Sequence, residues 1–407
     1  MTEGNRHGPV RHPDRPYASG LATSLGAAVF SRFILNTARR FAYPFAPVLS
    51  RGLGVPLTAV TSLIAVNQFS ALLGVGFGPL ADRWGYRNMM VAGLGLLGVG
   101  MLAAALLPLY AVVMTALLLA GFGKTLFDPA LQGFVGQRVP FERRGLVVGL
   151  VETSWAASAL VGMPLVGLLI ERYGWRAPFV TIGIAGLVGA LLVRVLLPAP
   201  EDQAAADRPG LTTGLLSALL GLFKERAAAG FLAYGFLVSL ANDVVFVTYA
   251  TWLEEQFTLG VVAIGVGTSV IGAAELGGEG LTVLFADRMG LRRSVLIGGC
   301  FSVLSYLLLP LFGSQLSVAL GGLFFVFISF EVTLVTSLSL CTEILPAQRA
   351  TMVAGFFAAC GMGRVVGAFM GGYLWEWGGM PAAGMVAGMS AALGIVAIYY
   401  GLRSWKR

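Results

Sequence analysis

Arg32, Asn36, Arg39 and Tyr43 recur at three- and four-residue intervals within one apolar stretch. On a helix with about 3.6 residues per turn, that spacing puts all four on one face. Two guanidiniums, an amide and a phenol in a stripe suit an anionic group or an acidic partner helix. Arg39 and Arg40 lie closer to the end of the stretch, where their heads could reach the surface by snorkelling. Lys124 and Asp128 stand four residues apart in a later apolar stretch, and Glu152 lies in the next one. Then come Asp243, the pair Glu275 and Glu279 on one helix face, Glu331 and Arg364. Two carboxylates held together at low dielectric resist simultaneous ionisation, so one can take up and release a proton near neutral pH. Glu275 is the first candidate for that role, followed by Asp243 and Glu331, with Glu279 as the second carboxylate of the pair. Arg364 could pair with Glu331, Asp243 or Glu275. Lys124 and Asp128 could equally be a structural pair, with Glu152 and Arg364 in similar bridges. Trp155 is the aromatic residue placed to line a cavity, whereas Trp252, Trp375 and Trp377 read as interface anchors.

Such chemistry needs an unusual solvent around it. Of 407 residues, 57% are hydrophobic and 12% are charged, with a mean hydropathy of +0.82. A soluble domain usually carries about 25% charged residues, and no aqueous fold of this size could bury so much apolar surface. Lipid is the solvent that fits. The 56 glycines agree, because small residues let membrane helices approach closely. The net charge of +7 comes from short basic clusters between apolar runs, which reads as a topology signal rather than nucleic-acid binding. His7 and His12 fall in the N-terminal tail, and Cys300, Cys341 and Cys360 stand singly in apolar stretches. Neither set offers a metal site, a disulfide framework or a nucleophile–base pair, so no enzyme activity, metal or cofactor is expected. The first stretch is followed by Arg32 and more apolar residues, which argues against a cleaved signal peptide.

A crossing needs about 20 apolar residues. Twelve segments qualify, at 19–47, 56–80, 88–107, 109–136, 145–170, 177–197, 228–252, 262–285, 293–313, 316–342, 349–373 and 379–402. Basic residues favour one set of connections: Arg83 and Arg87, Arg138 to Arg144, Lys224 and Arg226, Arg288 to Arg293, and Arg349. Both tails are basic too, so both termini are expected in the cytoplasm. The chain then divides into a tail at 1–18, six spans over 19–197, a linker at 198–227, six spans over 228–402 and a tail at 403–407. Across this division the sequence repeats itself. Ala81-Asp82-Arg83-Trp84-Gly85-Tyr86-Arg87 returns as Ala286-Asp287-Arg288-Met289-Gly290-Leu291-Arg292, an offset of about 205 residues. Val139-Pro140 with Arg143 returns as Leu345-Pro346 with Arg349 at nearly the same offset. Two signatures at one spacing mark an internal duplication.

These residues resemble the major facilitator superfamily, whose loop signature Gly-x-x-x-Asp-Arg/Lys-x-Gly-x-Arg/Lys is matched by Gly78, Asp82, Arg83, Gly85 and Arg87. The second copy keeps Asp287, Arg288, Gly290 and Arg292, with Val283 in place of the first glycine. The resemblance implies an all-α membrane protein of twelve helices in two pseudo-symmetric six-helix bundles. It also implies that Asp82 and Asp287, with their basic neighbours, form contacts that break as the cytoplasmic side opens. Lys124 resembles the basic residue that drug/proton antiporters of this superfamily carry in the fourth span. Gly162-Met163-Pro164 matches their fifth-span signature in part, since the glycine does not directly precede the proline.

The expectation is therefore a monomeric secondary transporter in the cytoplasmic membrane, with lipid, a small solute and protons as its partners. Alternating access about a mid-membrane site would move the solute. No phosphate-cradling loop for ATP is present, and the intramembrane carboxylates favour protons over sodium. Export of an amphipathic or anionic compound is the leading direction, and uptake of an organic anion is the alternative. A non-transporting receptor is the rival class, disfavoured because the longest connection is about 30 residues.

Overall fold

In lipid every backbone amide must bond within its own segment, so the apolar stretches fold as helices. The computed structural model describes residues 16–70, 84–198, 220–403 and 405. Gly78, Asp82 and Arg83 lie outside the described residues, as do the side chains of Asp287 and Arg288, the first fifteen residues and most of the 198–227 linker. The main helices are α1 (Pro16–Arg40), α2 (Ala46–Leu53), α3 (Leu57–Phe69), α4 (Tyr86–Leu106), α5 (Tyr110–Arg138), α6 (Phe141–Ala157) and α7 (Met163–Tyr173). They continue as α8 (Ala177–Leu196), α9 (Arg226–Phe257), α10 (Val261–Met289), α11 (Leu291–Leu308), α12 (Leu316–Ile344) and α13 (Arg349–Gly401).

Nine described helices are long and apolar enough to cross a bilayer. One of them, α13, is broken at Gly378 and Gly379, where φ reaches +60° at Gly379, so it supplies the eleventh and twelfth crossings. The first crossing is α1 continued by α2 across a bend at Phe41–Phe45, beside Pro44 and Pro47. It extends past the expected boundary at 47, because prolines bend this helix without ending it. The chain then reverses by 115° into α3, the described part of the second crossing. The fifth crossing joins α6 to α7 through a π-turn at Ser158–Gly162, just ahead of Pro164. A turn of wider pitch accommodates the amide that proline lacks. Gly85 and Gly290, the repeated glycines of the loop signature, have φ of 80° and 83° as they start the third and ninth crossings. That left-handed turn is open to glycine at little cost, which explains why both copies keep it.

Residue 16, residue 401 and the connection between the halves define a tail face, and the loops at 54–56, 174–176 and 258–260 define the far face. Lys124, Asp243, Glu275, Glu331 and Arg364 each sit within two residues of the midpoint of their crossing. Toward the far face the two halves meet backbone to backbone. A Cβ at Gly265 would stand 2.7 Å from the Met163 carbonyl oxygen, and one at Gly372 would stand 2.5 Å from Thr61 Oγ1. One at Gly272 would lie 2.9 Å from Ala159 Cβ. The Ser269 hydroxyl donates across the same seam to the Leu160 carbonyl at 3.1 Å, and Arg51 pairs with Glu254 at 2.7 Å. Toward the tail face, Asp128 and Glu152 keep 29% and 40% of their side-chain surface open. The molecule is thus closed on the far side, with polar groups accessible from the tail side.

Gly265→Leu should cost the far-closed arrangement about 1–3 kcal/mol of overpacking, or roughly 5- to 150-fold in population. Distances between spin labels on the loops at 54–56 and 258–260 should lengthen in this variant. Unchanged distances would show that the seam does not set far-side closure.

Candidate functional site

The polar stripe of the first crossing meets different partners at successive turns. Nearest the tail face, Arg32 donates to Asp128 Oδ1 at 3.1 Å, Glu152 Oε2 at 3.0 Å and the Val151 carbonyl at 2.8 Å. Lys124 Nζ lies 2.7 Å from Asp128 Oδ2 and donates to Asn36 Oδ1 at 2.7 Å. Asn36 in turn donates to Ser154 Oγ at 3.1 Å. Expected path residues (Arg32, Asn36, Lys124) and expected structural residues (Asp128, Glu152) are therefore one network within the N-terminal half. Arg32 and Lys124 are both buried there, with their donors directed at carboxylates and carbonyls of their own bundle.

One turn deeper, Arg40 crosses to the other half. Its Nη1 donates to Glu275 Oε2 at 2.9 Å, its Nη2 bonds Glu275 Oε1, and Nη1 also reaches the Trp155 carbonyl at 3.1 Å. The guanidinium stands 4.1 Å from the Trp155 ring centroid, a stacked cation–π arrangement. Snorkelling is overturned for Arg40, which is 3% exposed. The continuation through α2 places residue 40 at mid-depth rather than at a helix end, so it satisfies its charge inward. Glu275 and Glu279 share a helix but not an environment. Glu275 is held bidentately, whereas Glu279 is half-buried and has no hydrogen bond or ion pair among the described residues.

Beside this bridge a second chain of contacts runs between the halves. Arg39 bonds Gln68 Oε1, and Gln68 donates to the Tyr43 hydroxyl. Tyr43 donates to Asp243 Oδ1 at 2.9 Å, and Arg364 Nε stands 3.9 Å from Asp243 Oδ2. Of the three partners open to Arg364, the structure selects Asp243, since Glu331 packs its Cβ and Cγ over Gly278 instead. Glu331 lies within electrostatic reach of Glu275, Glu279, Arg364 and Arg40. Even so, among the described residues no hydrogen bond or ion pair reaches it. The ring of Phe246 lies 4.3 Å from Tyr43 and 5.3 Å from Phe327, forming an aromatic wall at this depth. Of the loop signature, Arg87 donates to the Leu197 carbonyl at 3.4 Å, and Arg292 is partly buried beside Gly290.

Gln68, Ser154, Phe246 and the Arg51–Glu254 bridge were not legible as site residues. Gln68 is an amide in an apolar stretch, so the rule that flagged Asn36 could have found it. Nothing in the sequence marks Phe246 among 26 phenylalanines. Trp252, expected at the lipid interface, is 5% exposed and packs on Phe257.

A profile of the Major Facilitator Superfamily matches residues 28–361. An uncharacterized transporter of this type from Bacillus subtilis is 22% identical, covering 90% of this chain and 92% of its own. The multi-drug resistance efflux pump PmrA of Streptococcus pneumoniae is 26% identical over 73% of this chain and 75% of its own. The fold matches that of a bacterial homolog of the human lysosomal transporter Spinster, with TM-score 0.73, 16% identity and coverage of 96% and 98%. It also matches the nucleoside transporter NupG, with TM-score 0.77, 14% identity and coverage of 94% and 100%. With two helical bundles meeting over charged groups at mid-membrane, and a profile match over most of its length, the chain belongs to the Major Facilitator Superfamily of membrane carriers.

Proposed function

We propose that this carrier couples the movement of a small organic solute to protons by alternating access, with Glu331 as the proton-binding carboxylate. The observation behind it is that Glu331 stands at the midpoint of its crossing without a hydrogen bond or ion pair among the described residues. Charges so placed usually mark ion pathways. Glu275, first choice from the sequence, is instead held by Arg40. Its role is a latch between the halves, held by the bidentate guanidinium of Arg40. Glu279 is the relay between the tail-side opening and these two. Asp243 is the counter-charge to Arg364. Arg32 and Lys124, with Asp128 and Glu152, are the scaffold of the N-terminal half rather than solute contacts.

The solute's own charge sets the direction. A solute that shares the carboxylates competes with the proton, so the two exchange and the solute leaves the cell. The similarity to an efflux pump supports this export reading. An anion near Glu331 favours the protonated acid, so anion and proton travel together and an inward proton gradient drives uptake. The incompletely paired guanidiniums of Arg39 and Arg364 favour this second reading. Both place the termini in the cytoplasm, as the basic residues of the tails and tail-face loops support.

Four outcomes test these assignments. In proteoliposomes, Glu331→Gln should keep solute exchange but lose its dependence on a pH gradient, and full pH-driven flux would remove Glu331 as the carrier. The sign of proton movement under a solute gradient separates exchange from co-transport. Arg32→Ala should lower stability by about 1–3 kcal/mol, because it removes charge-assisted hydrogen bonds from two half-open carboxylates, one of which keeps Lys124; an unshifted melting temperature would return Arg32 to the solute path. A fluorescent protein fused at the C-terminus should fold and fluoresce, and an active alkaline phosphatase fusion there would reverse the topology.

A further inference from the structure

Four arginines stand near mid-depth, and they are not equally satisfied. Arg32 has two carboxylates and a carbonyl, and Arg40 has a bidentate carboxylate and a carbonyl. Arg39 bonds only the neutral amide of Gln68, and its Nε is buried without a hydrogen-bond partner. Arg364 makes no hydrogen bond among the described residues, and its one ion pair, to Asp243, is a loose 3.9 Å. It keeps 24% of its side-chain surface open. The two guanidiniums lie within electrostatic reach of each other and come from opposite halves, the first and the eleventh crossings. Between them stands one carboxylate, Asp243, already bonded by Tyr43. Asp128, the other acid in reach of Arg39, is engaged by Arg32 and Lys124. Asp243 is thus the one carboxylate among the described residues that pairs with either cation. Glu331 lies in electrostatic reach of Arg364 without a bond to it. Most of the fork-shaped donors of the two cations make no hydrogen bond among the described residues, at a depth where unpaired charge is costly. Such forks match the two oxygens of a carboxylate or the face of a sulfonate or phosphate.

We propose that Arg39 and Arg364 form a two-sided clamp for the anionic head of an organic solute, one guanidinium contributed by each half. The head bridges the forks, next to the packed rings of Tyr43 and Phe246, which must part to admit the solute's apolar body. In the empty site Asp243 occupies Arg364 as an internal stand-in for that anion, which the arriving head displaces. Because the bound anion touches both halves, it draws them together at mid-depth, as a carrier closing over its solute requires. This inference rests on the second reading above, co-transport of an organic anion.

Melting of the purified full-length protein in detergent tests the clamp. The probes are benzoate, naphthoate, octanoate, naphthalenesulfonate and phenyl phosphate at millimolar concentration, each set against benzamide and benzylamine. At least one anion should raise the melting temperature, while the neutral and cationic analogues should not. Arg39→Gln and Arg364→Gln should each weaken that anion by roughly tenfold or more, and Asp243→Asn should tighten it by removing the internal competitor. Arg39→Lys and Arg364→Lys keep the charge and lose the fork, so an intermediate loss in well-folded protein guards against misfolding as the cause. Stabilisation by no anion, by the amine instead, or undiminished in either glutamine variant overturns the clamp. The readings fail separately. Proton flux driven by another solute, without anion binding, sinks the clamp and leaves proton coupling intact. Anion binding that depends on both arginines, with flux insensitive to pH, does the reverse.

Discussion

A charge at the middle of a crossing of about 29 residues sits roughly 20 Å from either end of its helix. Five such groups (Lys124, Asp243, Glu275, Glu331 and Arg364) occupy that depth here, and each must find a partner or face a wet opening. The bond from Arg40 to Glu275 is the tightest of the solutions found. It joins the two halves at mid-depth, where low dielectric strengthens the attraction. Removing either partner would leave the other buried and uncompensated, a penalty of about 3–5 kcal/mol. A contact so costly to lose ties the relative position of the halves to the charges of both partners.

The packing around that bond is smooth rather than interlocked. Where the halves meet on the far side, the contact surface is made of Gly265, Gly272 and Gly372 against backbone and short side chains. Smooth surfaces of this kind give close van der Waals contact while interlocking few side chains, so they can part and re-form. Within the N-terminal half the polar contacts are of another kind. Arg32, Lys124, Asp128 and Glu152 bind one another through several short bonds, and among the described residues no hydrogen bond or ion pair joins them to the other bundle. Separating the halves leaves this network whole, which is what a rigid moving body needs.

The sequence made the architecture readable because its strongest signals are local. Apolar run length marked the crossings, and two loop signatures at one offset marked the duplication. Gly85 and Gly290 then adopt the same left-handed turn at equivalent places. The charged residues were also legible as a set, since so few interrupt the apolar runs. Their partners were not, because pairing depends on how crossings far apart in sequence are rotated about their axes. The i, i+4 spacing of Lys124 and Asp128 foretold their bond. The same spacing at Glu275 and Glu279 foretold a shared environment that Arg40, 235 positions away, does not allow. Arg40 itself was misjudged through the bend at Phe41–Phe45. A helix that bends and continues moves every residue before the bend deeper than a simple count of apolar residues suggests.

Sorting the charges by where their partners lie gives them an order of function. Pairs closed within one half hold that half rigid. Pairs closed between halves are sensitive to anything that changes the charge of one member. Groups left incompletely paired among the described residues fall into two signs: the guanidiniums of Arg39 and Arg364, and the carboxylates Glu279 and Glu331. The family fold fixes none of this, since one fold serves many solutes. In the proposed reading, the cationic forks take something anionic and a separate acid takes the proton. An anion held at Arg364 would then raise the cost of a negative charge on Glu331, so each ligand would improve the site for the other. Coupling of this kind between groups in electrostatic reach of one another requires no signal passed along the helices.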